Sequence, residues 1–181
     1  DTVVLLEAIA CWGIQRTVEA AVGMFAFAVF DRQARELTLV RDRLGIKPLY
    51  WGQDGSRFVF GSEIKAIQAA GLLELTRDPD SLAAYMRFSY VPAPATIFRE
   101  IRKMMPGTII TIGTSGDPRE TRYWDAGAVA RHGQADLLPA DDPAVQTELE
   151  ALLLRAVEDR MISDVPLGAW LSGGIDSSAV V

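Results

Sequence analysis

Apolar residues at Val3, Leu6, Ile9, Ala10, Ile14 and Val18 recur at close to helical spacing. They predict one helix over residues 2–21, with Asp1 at the N-cap position. Gly23 breaks that pattern, and residues 24–30 form an almost unbroken apolar run. Its length predicts a strand buried on both faces. A polar turn at 31–35 leads to a second strand beginning at Leu37-Thr38-Leu39-Val40. Leu49-Tyr50-Trp51 and Phe58-Val59-Phe60 predict two more strands, with Gln53-Asp54-Gly55-Ser56 as their hairpin turn.

Residues 62–70 predict a short helix, and residues 79–88 another, with Asp78 as cap and Pro79 in the first turn. Pro92, Pro94 and Pro106 predict extended or irregular chain between them and a closing hairpin of residues 107–112 and 120–124. Residues 127–142 lose periodicity and carry Gly, Pro, Asp and the only histidine, His132, which predicts a linker. Beyond it Val145, Leu149, Leu152, Leu153, Ala156 and Val157 mark one helix face, started by Asp142 and Pro143. Residues 165–171 predict a strand, followed at once by a glycine loop. Three parts follow from this order: a first domain over 1–126, a linker over 127–142, and the start of a second domain over 143–181. The chain opens inside helical text and stops three residues after Ser178, so both ends read as cuts within a longer protein. Residues 165–181, without neighbouring strands, are then expected to expose apolar surface.

Composition narrows the class. An apolar content of 49% over 181 residues supports a real core rather than disorder. A net charge of −6 with no Lys/Arg stripe argues against a nucleic-acid footprint. No apolar run is long enough to span a bilayer, so no membrane partner is expected. The single cysteine, Cys11, forms no internal disulfide and fits a reducing compartment; a cytoplasmic location is the expectation.

Candidate chemistry concentrates in Ser172-Gly173-Gly174-Ile175-Asp176-Ser177-Ser178. Paired glycines let a backbone turn tightly and approach an anion without an intervening side chain. The hydroxyls of Ser172, Ser177 and Ser178 can donate to phosphate oxygens, and a new helix begins beside them. Asp176 cannot bind phosphate directly and is suited to hold Mg2+ or to orient the loop. The Lys-Ser/Thr ending of a Walker A loop is absent. The loop resembles the pyrophosphate-gripping loop of ATP pyrophosphatases, which form adenylates, but by itself does not choose among GMP, NAD, argininosuccinate and asparagine synthetases.

The upstream text chooses. Gly23-Met24-Phe25-Ala26-Phe27-Ala28, Arg41-Asp42-Arg43-Leu44-Gly45-Ile46-Lys47-Pro48-Leu49-Tyr50 and Gly61-Ser62-Glu63-Ile64-Lys65-Ala66 resemble the glutaminase domain of glutamine-hydrolysing asparagine synthetases. Tyr90-Val91-Pro92-Ala93-Pro94 and Lys103-Met104-Met105-Pro106-Gly107 resemble the region that closes it, and Ser163-Asp164-Val165-Pro166-Leu167-Gly168 the approach to the synthetase domain. The resemblance implies an α/β chain: an N-terminal-nucleophile glutaminase of stacked antiparallel sheets flanked by helices, then the opening strand, loop and helix of a doubly wound ATP pyrophosphatase domain. It implies hydrolysis of glutamine by a cysteine upstream of this chain, passage of ammonia through a tunnel, and attack on aspartyl-AMP made from aspartate and ATP with Mg2+. It also suggests a homodimer.

Carried over residue by residue, the resemblance places Asp1 on the α-amino group of glutamine. It places Trp170, Ser172, Gly173, Gly174, Asp176, Ser177 and Ser178 on ATP, with Asp176 on Mg2+, and Met24 and Ile46 on the ammonia tunnel. Val3 stands where relatives usually carry Glu, and Trp170 where a smaller aliphatic residue is common. No catalytic residue is assigned within the chain, which is expected to be inactive alone. A relative with another carboxylate acceptor, and a non-catalytic truncated product, are the alternatives. Arg41, Asp42 and Arg43 are read as ion-paired buttresses of the glutamine site, Cys11 as a buried or half-buried thiol, His132 as a solvated loop residue. Trp12, Trp51 and Trp124 are read as core or hairpin-face aromatics.

Overall fold

The computed structural model describes residues 2–55, 57–139 and 141–181. Asp1 and Ser56 lie outside the described residues, and with them the proposed N-cap and one corner of the predicted hairpin turn. The first helix, α1 (Thr2–Ala20), is two helical segments joined at Gly13, whose φ of 77° and ψ of 165° no helix contains. That kink corrects the expectation of one continuous helix. Only the second segment packs well: Val18 is buried and Ile14 lies against it, while Val3, Leu6 and Trp12 face outward. Cys11, expected to be at least half-buried, is exposed on the unpacked segment. Trp12, expected in a core, is exposed with the Arg16 guanidinium above its ring.

Strands β1 (Ala26–Asp31), β2 (Glu36–Arg41), β3 (Tyr50–Asp54) and β4 (Arg57–Gly61) follow, then helices α2 (Ile64–Ala70) and α3 (Pro79–Phe88). Asp78 caps α3, its side chain accepting from the Ser81 N–H and hydroxyl, with Pro79 behind it as the sequence predicts. The unpredicted β5 (Ile101–Lys103) is too short to show periodicity, and prolines surround it. The closing hairpin is β6 (Thr108–Ile112) and β7 (Pro118–Arg122).

Two antiparallel sheets result, ordered β1-β2-β6-β7 and β4-β3-β5. Side-chain alternation sorts their faces. Leu39 of β2 with Ile110 and Ile112 of β6 turn to one side of the first sheet and meet Trp51 and Phe58 of the second, together with Leu49 and Met104 that flank β3 and β5. Val40 and Ile109 turn to the other side and meet Val18 of α1. The far side of the second sheet packs Val59 and Ile101 on Ile67 of α2. The layers are therefore helix, sheet, sheet, helix. Leu39, Met104 and Ile110 are fully buried, and each contributes roughly 1.5–3 kcal/mol of hydrophobic stabilisation. Residues 24–30 were expected to be buried on both faces; β1 is instead half-buried, because it is an edge strand with β2 alone beside it.

The chain divides into two compact units at Val129/Ala130. A helix, α4 (Ala126–Ala135), crosses that division where the sequence reads as an aperiodic linker, and His132 sits on it rather than on a loop. In the second unit Asp142 caps α5 (Pro143–Glu158) through the Ala144 N–H. None of α5 is buried, and Leu149, Leu152 and Leu153 are exposed. The predicted strand over 165–171 is absent: a strand needs a ladder partner, and no described strand pairs with this segment. Val165, Leu167, Leu171 and Ile175 are exposed, as expected of that segment without neighbours. The last helix is α6 (Ile175–Val180).

Candidate functional site

A cleft of about 480 Å³ opens in the first unit, within the size range of small-molecule sites. Thr2 and Leu5 of α1 form one wall, Met24 to Phe27 a second, and Lys47, Pro48 and Ser62 close it. Met24, expected on an ammonia path, lines this cleft and is partly exposed. Ile46 is exposed beside Lys47, on the loop that joins β2 to β3, and does not line the cleft.

That loop is held by two consecutive residues. Asp42 is 1% exposed. Its Oδ1 accepts the Ile46 N–H at 2.9 Å, and its Oδ2 accepts the Lys47 N–H at 2.9 Å and the Phe25 N–H at 3.3 Å. Its own N–H donates to the Phe25 carbonyl, and its carbonyl accepts from Gly45 and Gly107. Arg41 takes the loop's carbonyls: Nε donates to Lys47, Nη2 to Gly45 and Nη1 to Met104. Burial lowers the Arg41 pKa, against the raising influence of the neighbouring Asp42 carboxylate. The Tyr123 hydroxyl donates to the Arg41 carbonyl at 2.8 Å, and its burial raises the phenol pKa to about 12. Arg43 donates to the Glu19 carbonyl. The expected ion pairs give way to bonds with backbone, because the loop's amides and carbonyls are nearer than any opposite side-chain charge. Sequence reasoning missed this latch; an acidic residue three positions before a left-handed glycine, Gly45 at φ 65°, is its one local signal.

Gly107 shows how close the packing is. Its φ is 63°, and a Cβ there would lie 2.3 Å from the Trp124 carbonyl oxygen. Only glycine fits where β6 departs beneath that carbonyl.

In the second unit Gly173 turns the chain at φ 78° and Gly174 starts α6. The hydroxyls of Ser172 and Ser177 meet at 3.0 Å, and Ser177 donates to the Gly174 carbonyl. A Cβ on Gly174 would stand in ordinary contact with both, 3.6 Å from the Ser172 hydroxyl and 3.8 Å from that of Ser177. Both hydroxyl protons are spent within the turn, Ser177 on the Gly174 carbonyl and Ser172 on Ser177, so a phosphate oxygen would have to displace these bonds to be met by either donor. Asp176 lies in the first turn of α6, and Ser178 donates its N–H to the Gly174 carbonyl. Trp170 is 99% exposed. Among the described residues no three His, Cys, Asp or Glu side chains converge as a metal site.

Stacked antiparallel sheets between helices, with a small-molecule cleft beside the first strand, define the first unit as a mixed α/β fold of the N-terminal-nucleophile type. The glutamine amidotransferase domain family matches residues 1–124, and the chain belongs to it. The asparagine synthase family matches residues 148–181. A putative glutamine-hydrolysing asparagine synthetase of Methanocaldococcus jannaschii is 36% identical over 165 residues, 88% of this chain and 30% of that protein. A glutamine-hydrolysing asparagine synthetase of Bacillus subtilis is 35% identical over 181 residues, 99% of this chain and 28% of its own length. An amidase of Gibberella zeae is 32% identical over 159 residues, 87% of this chain and 22% of its own length. The chain therefore spans less than a third of each of these relatives.

Proposed function

We propose that these residues belong to a glutamine-hydrolysing asparagine synthetase and join its glutaminase to its ATP site. The observation that carries the proposal is the succession, on one chain, of a glutamine amidotransferase fold and an asparagine synthase segment with a Ser-Gly-Gly turn. In this reading residues 1–126 are the later part of the glutaminase, 127–142 the linker, and 143–181 the start of the synthetase domain. The cleft beside Met24 receives glutamine, with Asp1 as the carboxylate for its α-ammonium group. A cysteine upstream of this chain performs the hydrolysis.

Aspartate's β-carboxylate attacks the α-phosphorus of ATP, giving aspartyl-AMP and pyrophosphate. Ammonia then attacks the acyl carbon, AMP leaves, and a proton is lost to give asparagine. Delivering ammonia internally, past Met24 and Ile46, raises its effective concentration and keeps water from the adenylate. Ser172, Ser177 and Ser178 donate to pyrophosphate oxygens, the glycines admit them, and Trp170 flanks the nucleotide. Mg2+ held by Asp176 and the phosphates would neutralise charge on the leaving group. Glutamine, aspartate and ATP are the expected small-molecule partners of a cytoplasmic, homodimeric protein. No described helix is long and apolar enough to cross a membrane.

A relative named as an amidase shows that similar chains carry other names, and the second reading is that the same two parts serve another carboxylate acceptor. The test is pyrophosphate release by the full-length protein with ATP, Mg2+, glutamine and a panel of carboxylates. Aspartate-dependent release with asparagine formed is the expected result. Release with another acceptor alone would favour the second reading, and release with none would overturn both.

A further inference from the structure

We infer that Asp42 is the positioning residue that sets the width of the glutamine cleft; this rests on the function proposed above. Two separate chain segments line the cleft and meet at its edge, Met24 to Phe27 and Lys47 to Pro48. The Asp42 carboxylate hydrogen-bonds both, through the Phe25 N–H on one side and the Ile46 and Lys47 N–H groups on the other. Its Oδ2 serves one donor from each segment, so a single atom ties the two walls together.

A carboxylate is required there by its chemistry. Three N–H donors converge on two oxygens that can accept from all of them at once. A carboxamide of the same shape has one accepting oxygen and one donating nitrogen. In either orientation its NH2 confronts at least one backbone N–H, and two buried donors then lack an acceptor. The weakest of the three carboxylate bonds is the one that reaches the first segment, from the Phe25 N–H at 3.3 Å against 2.9 Å for each loop donor. Relaxation therefore parts Lys47 and Pro48 from the Met24 to Phe27 segment. Arg41 still holds the Gly45 and Lys47 carbonyls, so the loop shifts without unfolding.

The test compares wild type, Asp42→Asn, Gly45→Ala and Tyr123→Phe in the full-length protein, with ammonia-driven pyrophosphate release as an internal measure of folded enzyme. Asp42→Asn is expected to raise KM for glutamine by about tenfold or more with a smaller change in kcat, since uniform binding of the substrate is what a widened cleft loses. Gly45→Ala perturbs the same loop from the other side, because its Cβ would lie 2.8 Å from Pro106 Cγ at a φ of 65°. It is expected to move KM in the same direction, and it carries the test if Asp42→Asn does not accumulate. Tyr123→Phe removes a bond to the Arg41 carbonyl only, and is expected to lower Tm with KM held. An unchanged KM in the loop variants, or an equal rise in Tyr123→Phe, would overturn the inference while wild-type turnover left the proposed function standing. A wild type that hydrolyses no glutamine would overturn both.

Discussion

Arg41 and Asp42 carry opposite charges at adjacent positions, yet each spends its charge on the same loop's backbone, the cation on carbonyls and the anion on amides. The guanidinium's fork matters more than its charge, because three donors reach three carbonyls in fixed directions. Arg41→Lys keeps the charge and loses the fork. It is expected to destabilise the first unit by roughly 1–3 kcal/mol, read as a lower midpoint in chemical denaturation. At this scale the sequence shows residue types suited to a site without showing their partners. Asp42 reads as half of an ion pair until the fold brings Phe25, seventeen residues away, to its carboxylate.

Among the elements, α3 was the most legible, since its cap, its first-turn proline and its length are all local chemistry. The Ser81 hydroxyl bond is the leading influence that lowers the Asp78 pKa, opposed by desolvation and aided by the Ser81 backbone N–H and Arg99. A folded pKa below the ordinary 3.8 means the cap contributes fully above that value and is lost as pH falls through the lower folded one. Hydrogen exchange of the α3 amides is therefore expected to stay protected to below pH 3.8, and to fail at a higher pH in Ser81→Ala. A Ser81→Ala profile that overlays wild type would refute that account. Elements that depend on distant partners were less legible. Helix α1 has a regular apolar pattern over both segments, but Gly13 separates the segment that meets Val40 and Ile109 from the one that only lines the cleft with Thr2 and Leu5. β5 exists because β3 pairs with it, which three residues of sequence cannot announce.

For the whole molecule, the proposed function gives the two units different chemistry, so substitutions in the glycine loop should separate two activities. Ser172→Ala and Asp176→Ala in the full-length protein are expected to lower aspartate-dependent pyrophosphate release by at least about tenfold, through lost contacts to the leaving phosphates. The loss should fall on that step and not on glutamine hydrolysis measured without ATP. Equal loss of both would point to a folding defect, and undiminished pyrophosphate release would remove the loop from the ATP site.

The sequence by itself determined what local chemistry determines: the caps of α3 and α5, the apolar runs of β2 and β6, the turn at Gly173, and the motifs that carry the family. These depend on residues within a few positions of one another. The tertiary structure decided which side of each strand met a helix and which met the other sheet, that β1 lies at an edge, and that residues 165–171 form no strand. It also turned Asp42 from half of an expected ion pair into the tie between two segments that line the cleft. Each of those outcomes depends on a partner far along the chain, and a ladder or a buried carboxylate exists only once that partner arrives.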